Sequence, residues 1–340
     1  LWLMSVNGVN AAELKHSIKG VIEVGINHSE TLDSYLKGQY GKFKYGDGTR
    51  ISLSQIGLHY QLGLNDYFTA HVIANGYSDN IKDGVGITEA YVKYKGLPNE
   101  LGIQTQARAG IFYPHISIEN NATAWSSPNF LNYSTINTWI GEELRHIGLE
   151  ADFKWLGKYR DSAHDWSANI SLFQGNDTTG ALLSWHGWTQ SNRQTLWHET
   201  IPVTPFPARI YGDLQAQAAE SDPFIELDDE LGAMINLQWS WKNKIEFTFG
   251  GYDNRADTRI VENGQYAWAT DFYHASLKWS LGKGYQLQGQ FMNGSTQMNA
   301  PTGQVVVFAD LQSSFLSLIK RWRSHNIAIR AEEFYLRDGD

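Results

Sequence analysis

The sequence predicts an all-β protein, a transmembrane antiparallel up-and-down β-barrel. Three observations carry that expectation. Segments between turns alternate apolar and polar residues with period two, the mark of a strand with one dry and one wet face. Connections are alternately long and short, as in membrane barrels with loops on one side and tight turns on the other. Aromatic residues gather beside the short turns, at the level where a ring with one dry and one wet edge is most stable.

Composition narrows the possibilities. The 340 residues carry a net charge of −9 and a pI near 5.7, without the basic stripe of a nucleic-acid partner. There is no cysteine, which excludes a disulfide scaffold and any thiolate metal site. The chain holds 13 Trp, 17 Tyr and 15 Phe against 8 Pro and 4 Met, an aromatic load that girdles would use. Mean hydropathy is −0.39 and no apolar run approaches about eighteen residues, so a helical span is excluded. Barrel strands are only half apolar and escape that exclusion. Leu1 to Ala12 read as the end of a secretory signal, with Val9-Asn10-Ala11 fitting small-x-small cleavage. Residues 1–11 are therefore expected to be a signal remnant and 12–340 a single barrel domain.

In order, Ser17 to Asn27 sets Ile18, Ile22, Val24 and Ile26 against Lys19 and Glu23. A Gly-rich loop leads to Ser52–Leu64, where Ile56, Leu58 and Leu62 oppose Gln55, His59 and Gln61. After an Asn-Asp turn, Phe68, Ala70, Val72 and Ala74 oppose Thr69, His71 and Asn75. Ala90, Val92 and Tyr94 then oppose Glu89, Tyr91 and Lys93. Ile103 to Phe112 places Gln104, Gln106 and Arg108 on its polar side. Leu144 to Trp155 sets Ile147, Leu149, Ala151 and Phe153 against Glu150, Asp152 and Lys154. Between those two strands lie about thirty residues, Tyr113 to Glu143, far beyond a hairpin turn and long enough to be functional. This third outer loop is expected to fold into the bore.

Further on, Trp166, Ala168, Ile170 and Leu172 oppose Ser167, Asn169 and Ser171. A long irregular stretch, Gly175 to about Asp228, precedes strands at Leu231 to Trp241 and Ile245 to Gly250, the latter carrying Glu246 inward. Tyr266–Trp279, Tyr285–Asn293, Val305–Ile319 and Asn326–Leu336 complete the set, the last two alternating too poorly to assign faces. That makes about thirteen strands, and bacterial single-chain barrels have an even number. An odd count implies missing C-terminal strands and a complete wall of about sixteen. Tyr67, Tyr94, Trp155, Trp166, Trp239, Trp241, Trp279, Tyr285 and Trp322 flank the short turns and are expected at the membrane interface.

Gly110-Ile-Phe112-Tyr-Pro114-His-Ile-Ser117-Ile-Glu119-Asn120 resembles the G-x-F-x-x-P-x-S-x-E stretch of the phosphate-selective porin (O and P) superfamily. Ile87 to Tyr94 resembles the strand preceding it. The resemblance implies a Gram-negative outer-membrane location, sixteen strands, a homotrimer and a third loop that narrows the pore. It also implies contact with outer-membrane lipid and lipopolysaccharide. The basic ladder of the anion-selective members is missing. The polar parity gives Lys19, Lys93, Arg108 and Lys154 against Glu23, Glu89, Glu150, Asp152, Glu230 and Glu246, with His59 beside them. Such a mixed lining selects weakly.

The reading is therefore a passive channel for small hydrophilic solutes, without cofactor or metal, in which Glu119, Asn120, Glu142 and Glu143 face Lys19, Lys93 and Arg108 across a constriction. The alternative is a binding or adhesin-like barrel whose loop 175–228, with Trp185, Trp188 and Trp197, captures a carbohydrate; those rings would otherwise pack the loop on itself. Enzymatic chemistry has little support. His274 and Ser276 share a strand face but fall on the wet parity, His198-Glu199 lacks the second His of a zinc helix, and no Gly-x-Ser-x-Gly elbow occurs. Glu226 to Glu230 reads as a solvated rim, with calcium as the less favoured option.

Overall fold

A computed structural model describes residues 15–78, 84–212 and 214–339. The signal-remnant reading of residues 1–11 lies outside them. The strands are β1 (Lys15–Ser29), β2 (Gly48–Gly63), β3 (Phe68–Ser78), β4 (Gly84–Lys95), β5 (Ile103–Phe112), β6 (His146–Trp155) and β7 (His164–Gln174). After β8 (Ile201–Pro202) and β9 (Glu220–Ser221) come β10 (Gly232–Trp241) and β11 (Ile245–Asp253). Then follow β12 (Val261–Glu262), β13 (Gln265–Tyr266), β14 (Trp268–Gly282), β15 (Tyr285–Asn299), β16 (Val305–Trp322) and β17 (His325–Asp338). Pairs β8–β9 and β12–β13 are small hairpins within loops, and the other strands form one 13-stranded sheet in sequence order. Every neighbouring pair in it is antiparallel. Among the described residues no helix is long and apolar enough to cross a membrane.

The sheet curls around its loops. Asn192 of the fourth long connection donates to Glu23 of β1 at 2.9 Å, and Gln190, two residues earlier, donates to Glu332 of β17 at 2.5 Å. The first and last strands of the sheet are thus brought to one short piece of chain. The turns have the expected chemistry. The Asn65 side chain accepts from the Tyr67 and Phe68 amides at 2.9 Å. Lys242 and Asn243 both take positive φ (48° and 53°), as a two-residue turn matched to strand twist requires. Two strands carry an extra inward residue, Ser54 in β2 and Thr88 in β4. Such bulges increase the local twist and shift the alternation that the sequence displays.

Faces follow the predicted parities through β11. Ile18, Leu58, Val72 and Phe247 are exposed on the outside of the sheet, and Ile147 is half-buried there. The unassigned strands turn out to be inverted in their outer halves. On β16, Leu311 and Phe315 point inward and are buried, while Asp310 and Gln312 are exposed. Their outward neighbours are polar too, since Asp310 pairs with Ser295 and Arg337, and Ser295 donates to Asp271 at 3.0 Å. Only lower on the strand does the outside become apolar, at Leu316 and Leu318.

Candidate functional site: the bore

The third long connection, residues 113–145, lies inside the sheet. Its helix α1 (Thr135–Glu143) is capped by Ser134, whose hydroxyl accepts the Asn137 amide, and every residue of α1 is buried. A surface helix keeps a polar face in water; one buried all round must sit within protein. Ile136, Trp139 and Ile140 join Phe173, Met234, Tyr252, Phe272, Met292, Leu311 and Phe315 of the wall in one apolar cluster. Ala124 and Trp125 take left-handed backbone (φ 54° and 57°), bringing Ala124 so close to β2 that a side chain at Gly57 would lie 2.5 Å from its Cβ.

The fourth connection, 175–231, closes over it. Gly180, Leu182 and Leu183, around the start of α2 (Ala181–His186), donate their amides to Glu143 at 3.2, 2.8 and 3.3 Å. The Trp139 indole adds a fourth bond at 2.5 Å. Burial raises the Glu143 carboxyl and these donors oppose it, leaving it at about 7; four N–H groups fit the carboxylate form. Beside it, burial drives Glu142 up to about 8 and His186 down to about 4. Fully buried Arg145 donates to the carbonyls of Thr88 (2.7 Å) and Thr195 (3.2 Å) and lies over the Tyr113 ring at 3.5 Å. Arg193 pairs with Glu199 at 2.5 Å.

Below this plug the interior is lined mainly by polar side chains. A cavity of about 200 Å³ is roofed by residues 115–118 and walled by Asp152, Lys154, Asn169, Asn236, Gln238, Glu246 and Lys278. Its charges are matched in pairs, Asp152 with Lys154 at 3.0 Å and Glu246 with Lys278 at 3.1 Å. In the adjoining pocket Arg108 grips Glu150 through two nitrogens at 2.7 and 2.9 Å, with Lys93 and Tyr91 alongside. His59 and His71 meet at 3.0 Å on neighbouring strands. Glu89 is buried and accepts the Tyr113 amide at 3.2 Å. Lys19 pairs in register with His59.

The expected constriction takes a different form. Glu119, Asn120, Glu142 and Glu143 are all buried, with partners inside the protein rather than Lys19, Lys93 or Arg108. Glu119 bonds Arg330, the Ser134 amide (2.9 Å) and the Asn137 side chain (3.0 Å). Asn120 donates to the Trp125 carbonyl at 3.0 Å. The long third loop folds into the interior as its length predicts, but the apolar residues between its acids pack there, so the acids serve as anchors instead of facing the cations of the wall. His274 corrects the sequence reading as well. It is buried, not wet, and bonds Asn236 at 2.9 Å instead of Ser276.

The aromatics expected at a membrane interface lie at the short-turn ends of the strands. Tyr67, Trp166, Trp279, Tyr285 and Trp322 are exposed, and Tyr94, Trp155, Trp239 and Trp241 are half-buried. Trp155 and Trp166 face each other across β6–β7, and the Trp239 indole reaches His164 at 3.0 Å. The loop tryptophans pack. Trp188 is buried and donates to the Tyr335 carbonyl at 3.2 Å, Trp185 stacks on Phe206 at 4.3 Å, and Trp197 stacks on Phe224 at 5.7 Å. Of the acidic run, Glu226 and Asp228 meet Asp177, their carboxylate oxygens within 4.8 Å; an all-oxygen set of this kind suits a hard cation. Burial and the two neighbouring carboxylates raise Asp177 to about 7. Asp229 and Glu230 are exposed.

No protein-family model matches the chain, and neither does any curated protein sequence. Among solved structures it is similar to a loop L8 deletion mutant of OmpT, an outer membrane protein of Vibrio cholerae. Identity there is 8% and TM-score 0.44, over 96% of this chain and 94% of that one. It is also similar to the outer membrane channel DcaP of Acinetobacter baumannii, at 7% identity and TM-score 0.34, over 95% and 97%. Salmonella typhi OmpF in complex with daunomycin follows at 9% and 0.32, over 95% and 97%. Scores below 0.5 do not decide a fold, and the class rests on the strand pairing itself: an antiparallel up-and-down wall wrapped around its own loops.

Proposed function

We propose that the protein is an outer-membrane channel for small hydrophilic solutes and ions, held nearly closed by its third and fourth outer loops. One observation carries this reading. The wall is apolar outside through most of its circumference and polar inside around a chamber of about 200 Å³. A soluble protein would bury the apolar side, whereas hydrocarbon requires it outward; among the described residues β1 and β17 are the two edges of the sheet. Because the chamber's charges are paired, it presents little net field, and weak ion selectivity follows. A Gram-negative outer-membrane location and trimeric assembly go with the resemblance of residues 110–120, and membership of the phosphate-selective superfamily stays a proposal with them. No catalytic role is assigned.

Planar-bilayer recording tests the reading. The full chain should show small, infrequent openings, and deletion of residues 120–137 should raise the conductance severalfold. An inert deletion variant would defeat the channel assignment. The dry cluster above the chamber supports a second reading, a closed binding barrel. Liposome swelling separates the two, since only a channel admits small sugars. The packed loop tryptophans weigh against sugar stacking.

A further inference from the structure

Three outer connections meet at one buried point. Tyr35 comes from the connection after β1, Glu142 from the end of α1, and His186 from the end of α2. Their exposures are 0%, 3% and 6%. The His186 Nδ1 atom lies 2.9 Å from the Gly187 carbonyl oxygen, which places the ring proton on Nδ1 and leaves a lone pair on Nε2. That Nε2 is buried and has no hydrogen-bond partner. It sits 3.9 Å from Glu142 Oε2. The Tyr35 hydroxyl is also buried without a well-formed bond; it faces the Glu142 carboxyl, and its ring centroid is 4.9 Å from that of His186. The other Glu142 oxygen accepts from Thr189 at 3.1 Å.

We propose that Tyr35, Glu142 and His186 form a site for a late first-row divalent cation, with Zn²⁺ as its representative, which pins the three loops over the bore. An imidazole lone pair, a carboxylate oxygen and a phenol oxygen converge, with the hydroxyls of Thr189 and Ser191 alongside. A nitrogen ligand with oxygen partners selects Zn²⁺, Cu²⁺ or Ni²⁺ over Ca²⁺ and Mg²⁺. An ion about 2.0–2.2 Å from each atom fits between His186 Nε2 and Glu142 Oε2 with small movement. The bond from His186 Nδ1 to a backbone carbonyl is the support a metal-bound histidine ordinarily has. Two charged groups adjoin the site. Glu143 adds negative charge but is held by its four N–H donors. Lys42 opposes a cation, and its ammonium is fixed on the His186 carbonyl oxygen rather than on the carboxylate.

This assignment does not rest on conduction, so its test reads metal alone. Untagged full-length protein, stripped with chelator in detergent, is titrated with ZnCl₂ by calorimetry. One saturable Zn²⁺ per chain is expected, weakened about tenfold or more by His186→Gln and by Glu142→Gln. Tyr35→Phe should weaken it less. Absence of saturable binding, or binding unchanged in both of the first two variants, overturns the site. X-ray absorption of the Zn²⁺-loaded wild type covers the case in which a variant fails to fold. A mixed N/O shell containing one imidazole supports the proposal, and an all-oxygen shell overturns it.

Discussion

Arg330→Ala should release the third loop from the wall. Arg330 on β17 reaches 211 residues back to Glu119. It also donates to the carbonyls of Asn132 at 3.1 Å and Tyr133 at 3.0 Å, and its guanidinium lies 4.7 Å from the Phe130 ring centroid. The two side chains are 8% and 2% exposed, so truncating the arginine strands a carboxylate out of water. Breaking one partner of a buried pair costs about 3–5 kcal/mol, which multiplies the population of undocked loop by roughly two to four orders of magnitude. Hydrogen exchange of α1 amides, followed by mass spectrometry in detergent, reads that population directly. The double variant Glu119→Ala/Arg330→Ala should exchange more slowly than Arg330→Ala, because no orphan charge is left behind. Unchanged exchange in Arg330→Ala, or a double variant as open as the single, would refute the anchoring argument.

Other consequences can be checked separately. Gly57→Val should loosen the third loop, since a Cβ there would lie 2.5 Å from Ala124, while also crowding Val21 (2.8 Å) and Asn75 (2.9 Å) on the flanking strands; faster protease cleavage within 115–130 is the readout. Asp177, raised from 3.8 to about 7, binds its proton more tightly in the folded state. Its contribution to docking of the fourth loop is therefore full below pH about 4 and lost as pH rises through about 7. Asp177→Asn should flatten that dependence in chelator-containing buffer, measured by proteolysis of residues 175–231. Finally, a spin label at Gln312 should report polar-reagent access where one at Leu316 reports lipid, because the outside of β16 changes character between them. Equal oxygen access at the two positions would contradict the inverted outer half.

Period two alone located the wall. Where it failed, the cause is physical. On β16, Leu311 and Phe315 pack inward against α1 while Leu316 and Leu318 face out, so both parities are apolar and no alternation survives. The bulges at Ser54 and Thr88 shift parity by one residue and have no signature in a single sequence. The oversized third loop was legible from its length, but its acids were misplaced. Glu119 is anchored by a partner 211 residues away, and nothing near it in sequence announces that bond. The same holds for the meeting of Tyr35, Glu142 and His186, three residues on separate connections with nothing in sequence to link them.

A lipid-accessibility scan tests the account most directly. Single spin labels at Ile18, Leu58, Val72, Leu149 and Phe247, in protein reconstituted into bilayers, should favour oxygen over a water-soluble nickel relaxant. Labels at Lys93, Lys154 and Gln238, which border the inner cavities, should show little oxygen access. Oxygen access at the second group and water access at the first would mean that the wall is inside out and the channel reading is wrong.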